Sequence, residues 1–248
     1  MELNKVYISE EKFVSLNEPI DISIPLSPKE GPLAFHIPAP RFEPIRVGNF
    51  IGSVALGGSA NCENLILNAH GNGTHTECLG HISKERITIN QCLKKFHFLG
   101  LLLSVNPKKI ANGDYLIDEQ IVDLTQIPEG TEALIIRTLP NSNNKLTAIY
   151  SGNNPCYFDP KLTAAIRLKG IKHLIIDLPS VDREEDEGAL AAHHAYWDYP
   201  TKPRYDCTIT EMVYVKEEIA DDSYLVNIQI ASFESDASPS KIILYKIN

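Results

Sequence analysis

No regular hydrophobic period opens the chain. Pro19, Pro25, Pro28, Pro32, Pro38, Pro40 and Pro44 punctuate residues 1–45, and only Ile20–Ile24 alternates as a strand does, so this stretch reads as an extended arm with little helix. From about Phe50 the pattern changes to short β-rich runs, Ile51–Leu56, Asn64–Ala69, Leu101–Val105 and Ala133–Thr138, which predict strands. Asp159–Gly170 predicts a helix: an Asp cap, Pro160 in the first turn, apolar Leu162, Ile166 and Leu168, late cations and a terminal glycine. Ile171–Asp177 follows as a buried strand, and strand, helix, strand implies a sheet with some parallel pairs. Beyond the acidic loop Arg183–Gly188, Ala189–Trp197 has the composition of about two helical turns. Thr208–Val215, Leu225–Ala231 and Lys241–Lys246 read as further strands. With no internal repeat and no low-complexity linker, the expectation is one α/β domain over 1–248, a mixed sheet with flanking helices and a Pro-rich arm at 1–45.

Composition narrows the partners. A net charge of −9 argues against a polyanion as the main partner, because phosphate binding needs surplus Lys and Arg, so no nucleic acid is expected. The five cysteines include no C-x-x-C pair and no secretory signal opens the chain, which fits a reduced, cytoplasmic setting. The longest apolar stretch, Phe98–Val105, is far shorter than the roughly 20 residues that cross a bilayer, so no membrane is expected either. Asn72-Gly73-Thr74 matches the glycosylation pattern, a coincidence without an export signal.

The histidines carry the chemistry. Of eight, His70, His75 and His81 fall within one twelve-residue segment and His193 and His194 are adjacent. Imidazole and carboxylate are the usual donors to zinc and similar ions, and Glu77 lies inside the same segment. In a strand, His75 and Glu77 share a face. His70 sits at an odd offset from His75, which a bulge supported by Gly71 and Gly73 would correct. Gly73, Thr74, Thr76 and Gly80 weaken a helical alternative, so a strand running into a loop is preferred. Spacing alone leaves two readings open: a metal site, or histidines in ordinary surface and core roles.

The segment also resembles the cyclase family that includes bacterial kynurenine formamidase, whose hallmark reads His-x-Gly-Thr-His-x-Asp-x-Pro-x-His; here Gly73-Thr74-His75 is followed by Glu77 and His81. Further landmarks come in the family's order: Pro19–Leu26, Ala133–Thr138, Gly170–Asp182, Ala192–Ala195 and Ile209–Met212. The resemblance implies an α/β fold and hydrolysis of an amide, ester or related bond with one or two divalent ions, zinc ahead of manganese. It implies His75 and Glu77 as metal ligands, with Glu77 able to bridge two ions, His193 and Glu211 as ligands of a second ion, and His81 as the proton-transfer residue. The family's first ligand falls on Gly71, so the role passes to His70 through a one-residue insertion, and the family's Asp and Pro are here Glu77 and Leu79. These departures mark a divergent branch. A small-molecule substrate and a homo-oligomer are expected by the same analogy.

The leading expectation is an arylformamidase-like hydrolase acting on a formamide-like amide, ester or lactone through metal-activated water, with His81 or His193 returning a proton to the leaving group. A metal-dependent cyclase or dehydratase of a small acid is the enzymatic alternative, and a non-catalytic ligand-binding protein the other. Several residues have duller accounts beside functional ones. Trp197, Tyr196 and Tyr199 either line an aromatic pocket or belong to core and interface. Asp177 and Asp182 are expected to shape the turn between them. The acidic run Asp182–Glu187 is expected to be a solvated loop. Cys78 as a nucleophile is disfavoured, and Phe35 and His36 reach a pocket only if the arm folds over the site.

Overall fold

The computed structural model describes residues 4–248, so residues 1–3 of the predicted arm lie outside the described residues. Eight strands form the principal sheet: β1 (Ile20–Asp21), β2 (His75–Cys78), β3 (His97–Val105), β4 (Ala133–Thr138), β5 (His173–Ile176), β6 (Thr208–Glu211), β7 (Ser223–Ile230) and β8 (Ala237–Lys246). Their order is β7-β3-β4-β5-β6-β2-β8-β1, and a second pairing, β7 with β8, closes the first seven into a barrel. The β3–β4, β4–β5 and β5–β6 pairs are parallel and the rest antiparallel, the mixed sheet expected from the strand–helix–strand pattern. Closure itself has no local signature in the sequence.

Burial on both faces explains why the central strands read as continuous apolar runs. Ala133 and Ile135 of β4 turn into the barrel with Leu102, Ile175, Val226 and Ile242, while Leu134 and Ile136 face outward beneath the helices. Each of these Val, Leu and Ile side chains taken out of water stabilises the fold by roughly 1.5–3 kcal/mol. The short α1 (Ile89–Cys92) packs Ile89 and Cys92 with the barrel-interior residues, and the outer layer comprises α2 (Pro160–Leu168) and α3 (Ala191–Trp197). The Asp159 carboxylate accepts from the Lys161 amide at 2.8 Å and Pro160 occupies the first turn of α2, as its sequence predicts. Trp197 and Tyr196 of α3 are fully buried and donate to the Cys207 and Thr208 carbonyls, so they are core residues and not a substrate lining.

Several boundaries differ from the sequence pattern. Within Ile51–Leu56 only Ile51 is strand, paired through Phe50–Ile51, and Val54–Leu56 is a 3-10 turn. Asn64–Ala69 contributes only to Glu63–Ile66, which pairs with Arg41–Pro44 in an exposed two-stranded ribbon. The strand begun at Thr208 stops at Glu211 because Met212 adopts φ 52. In the arm, Lys5–Tyr7 and Phe13–Ser15 form a hairpin too short for alternation to reveal. Residues 24–38 of the arm run along the histidine segment: the Ile24 amide donates to Thr74 Oγ1 at 2.7 Å and the Ala34 amide to the Gly71 carbonyl at 3.1 Å. Among the described residues no helix is long and apolar enough to cross a membrane.

Candidate metal centre

The site grows out of the β2–β6 pair. Cys78 of β2 packs into the barrel, so His75 and Glu77 project from the opposite, helix-covered face, as the two-residue period requires. The antiparallel register sets Glu211 of β6 directly opposite His75. His193 descends from α3, His81 ends the 3-10 turn Leu79–His81, and His70 sits on the turn before β2. His75 Nε2 lies 3.3 Å from Glu211 Oε2, and His193 Nε2 lies 3.0 Å from Glu77 Oε1 and 3.9 Å from Glu211 Oε1. His70 Nδ1 stands 3.1 Å and His81 Nδ1 3.7 Å from Glu77 Oε2. Glu77 thus joins two overlapping donor groups, His75–Glu77–Glu211, fully buried, and His70–Glu77–His81, at the rim.

Three of the imidazoles have their other nitrogen committed elsewhere. His75 Nδ1 meets the Gly73 carbonyl at 3.0 Å, His193 Nδ1 meets Asp182 Oδ2 at 2.6 Å, and His70 Nε2 meets Asp236 Oδ2 at 2.9 Å. An acceptor on one ring nitrogen selects the tautomer that turns the other nitrogen's lone pair toward the centre, the arrangement common around metal-ligating histidines. Asp182 also takes the Ala192 and His193 amides, so one carboxylate both caps α3 and orients its histidine.

With protons as the only cations, this charge pattern moves His193, His70, Glu77 and Asp236 away from their ordinary ranges. Burial pulls His193 down, yet its hydrogen bonds to Asp182 and Glu77 and the nearby Glu211 charge raise it to about 10. His70 is raised to about 10 in the same way, by Asp236 and Glu77 against burial. Burial pushes Glu77 up, but the His81 charge, the His193 hydrogen bond to Oε1 and the His70 imidazole 3.1 Å from Oε2 hold it well below the usual carboxylate range. Hydrogen bonds from His70 and His81 depress Asp236 likewise.

A divalent ion fits these donors better than protons do. His75 Nε2 and Glu77 Oε2 are buried with no hydrogen-bond partner. Each such atom costs about 1–3 kcal/mol if nothing satisfies it. Two donors each about 2.1 Å from one ion lie about 3.0–3.4 Å apart at octahedral to tetrahedral angles. The 3.0, 3.1 and 3.3 Å separations around Glu77 and Glu211 fall in that range. Three imidazoles and two carboxylates are a donor set suited to zinc or a similar ion.

Every residue expected at the site, His70, His75, Glu77, His81, His193 and Glu211, lies in this one cluster. The position of Gly71 has a steric reason. A Cβ there would stand 2.8 Å from Ile37 Cβ and 3.1 Å from the Ala34 carbonyl, so no donor side chain fits beneath the arm. His70, one residue earlier, packs its ring 5.2 Å from that of His75, and Gly73 at φ 151 makes the intervening turn that a strand bulge was expected to make. His193 faces Glu77, whereas His194 turns to the Tyr199 carbonyl at 3.0 Å. The Cys78 thiol lies on the far face, and its hydrogen bond with Cys92 together with burial pushes it far above the range of a nucleophile. Phe35 shares a narrow crevice with Tyr150, Ser180 and Asp182 behind the cluster.

Sequence reasoning missed two acids. Asp182 was expected to shape a turn, and its spacing of eleven residues from His193 gives no helical hint; Asp177 does serve structure, accepting from the Thr138 amide and the Lys145 ammonium. Asp236 carries no local signal at all, since only the pairing of β8 with β2 brings it to His70 and His81.

Known proteins resemble the chain in sequence and in fold. The chain is 24% identical over 239 residues to a kynurenine formamidase of Bacillus anthracis, covering 95% of this chain and 98% of that one. A kynurenine formamidase of Bacillus cytotoxicus is 23% identical over 236 residues, with 94% and 97% covered. The fold is shared with a potential metal-dependent hydrolase with cyclase activity (TM-score 0.66, 14% identity, 92% of this chain and 97% of that one). It is shared equally with an isatin hydrolase solved with the product analogue thioisatinate (TM-score 0.65, 12% identity, 93% of both). The Cyclase family model matches residues 20–183, a span running from β1 through the loop that holds Asp182, and the chain belongs to that family.

Proposed function

We propose that the protein is a metal-dependent hydrolase that cleaves a formamide-like amide, ester or lactone bond of a small molecule. The observation that carries the reading is the pair of orphaned buried atoms, His75 Nε2 and Glu77 Oε2, among imidazoles whose other nitrogens are already anchored. The names of the relatives, kynurenine formamidases and an isatin hydrolase, support carbon–nitrogen bond hydrolysis as the reaction class.

His70, His75, Glu77, His193 and Glu211 would hold one or two ions, zinc ahead of manganese for an imidazole-rich set. The ion supplies Lewis acidity toward a carbonyl and makes water a nucleophile near neutral pH. The chain's own residues do the rest. Asp182 and Gly73 hold His193 and His75 in the ligating tautomer. His81, a quarter exposed at the rim with Nδ1 facing Glu77 and Asp236, is positioned to take a proton from the attacking water and return it to the leaving group. Fully buried Trp197 stacks on His193 at 5.6 Å and keeps water from that side of the ring.

Exposed Val47, Val54, Leu56, Leu65 and Ile66 cluster in the segment around the Arg41–Pro44 ribbon and support a homo-oligomer, which light scattering tests. The function is tested by elemental analysis of purified protein and of a His75→Ala, Glu77→Ala double variant. Near-stoichiometric zinc or manganese lost in the variant, with turnover of formyl anilides, lactones or phenyl esters by the loaded enzyme, is the expected result. A wild type that takes up no metal even after reconstitution overturns it.

A further inference from the structure

His75 and His193 are anchored from within their own neighbourhoods, by Gly73 two residues away and by Asp182 at the start of α3. His70 has no such local support. It occupies a turn, one residue before the sterically closed position of Gly71, and its side chain is one fifth exposed. What holds its ring is a carboxylate 166 residues later in the chain: His70 Nε2 lies 2.9 Å from Asp236 Oδ2. The same oxygen lies 3.4 Å from His81 Nδ1. The two imidazoles are accordingly side by side, with centroids 4.4 Å apart and planes tilted by 30°.

Asp236 is itself well located to impose this order. Its carbonyl accepts the Cys78 amide at 3.0 Å, which ties its backbone to the end of β2, and its Oδ1 accepts from the Ser235 hydroxyl at 3.0 Å. Oδ2 is thereby left to the two histidines. We propose that Asp236 is the positioning residue of the rim half of the site: it presents His70 as the donor that replaces a ligand at position 71, and it aligns His81 beside it. The inference rests on the metal-hydrolase reading, because it assigns His70 to an ion and His81 to proton transfer. Asp236 touches neither ion nor substrate in this role and acts through the two rings.

The test compares Asp236→Ala and Asp236→Asn in the full chain. Zinc affinity is measured by competition with a chromophoric chelator, and the ring 15N shifts of His70 are recorded in the metal-free protein. Asp236→Ala is expected to weaken zinc binding roughly 10- to 100-fold, the usual effect of removing an acceptor behind a ligating histidine. Asp236→Asn, which keeps an oxygen for the His70 N–H, restores much of the loss. A cycle with His70→Ala is expected to be strongly non-additive, because each change removes the same contribution. A merely structural role would lower the thermal midpoint of the metal-free protein without moving the ring shifts or the cycle. Zinc affinity within twofold of wild type in Asp236→Ala, or an additive cycle, overturns the proposal. If wild type binds no zinc, the hydrolase reading fails by itself, and the 15N comparison still decides whether Asp236 sets the His70 ring. Should Asp236→Ala not fold, Asp236→Asn with the cycle on His70 serves the same purpose.

Discussion

Two histidines, His173 and His193, are each 2% exposed, and their environments could hardly differ more. His173 opens β5, packs against Phe98 with centroids 3.8 Å apart and planes tilted by 41°, and meets the Thr208 hydroxyl at 2.9 Å. Burial, helped by the Lys172 charge, pushes it down to about 3, so it stays neutral. His193 lies among Asp182, Glu77 and Glu211, whose negative charge more than offsets burial and lifts it to about 10. Equal burial therefore produces opposite chemistry. The carboxylates, not the depth, make one imidazole a candidate ligand and leave the other a packed ring.

The most severe way to break the comparison is to remove the carboxylate that joins both donor groups. Glu77→Gln keeps the shape of β2 and takes away the bridging charge; metal content by elemental analysis is expected to fall below stoichiometry and hydrolysis to background. Wild-type metal content in this variant would deny Glu77 its place as a ligand. Next in size, Asp182→Asn leaves an acceptor near His193 without its charge, and metal affinity measured by chelator competition is expected to drop roughly 10- to 100-fold.

A smaller effect belongs to His173. The unfolded chain binds a proton there near pH 6.5 and the folded chain not until about 3, so folding stability falls as pH drops through this window and the loss levels off below it. Each pH unit in the window costs about 1.4 kcal/mol at most. His173→Gln is expected to flatten that acid limb in denaturant titrations and to leave metal content unchanged. His193 in metal-free protein runs the other way: its folded value is raised, so its contribution is complete below pH 6.5 and is lost as pH rises through about 10. Metal and protons compete for the same nitrogens, so loading is expected to improve with pH across the neutral range. The mildest change is His194→Ala, which removes one hydrogen bond to Tyr199 and is expected to cost about 1 kcal/mol with full metal content, separating the two adjacent histidines.

Much of the fold was legible in local patterns. Ala133–Thr138 reads as a strand and is one, and the Asp159 cap with Pro160 marks the start of α2 at the observed residue. Both signals are local, arising from side-chain alternation and from one carboxylate beside one turn. The pairings of short strands were less legible: Lys5–Tyr7 with Phe13–Ser15, or the ribbon at Arg41–Pro44, are too brief for any period to stand out. In the site, the donors His75, Glu77 and His81 announce themselves by proximity in sequence, while Asp182 and Asp236 look like ordinary acids in polar loops until the chain is folded.

By itself the sequence determined which donor atoms are available, that His75 and Glu77 share a face, and that residue 71, a glycine, contributes no ligand. Tertiary structure alone decided that Glu211 stands opposite His75, that His193 and not His194 reaches Glu77, and that Asp236 meets His70 and His81. The physical reason is range. A side chain's face follows from the dihedral period of its own few residues, whereas these meetings depend on inter-strand register and on the β7–β8 closure of the barrel, which minimise the free energy of the whole sheet and are written in no single segment.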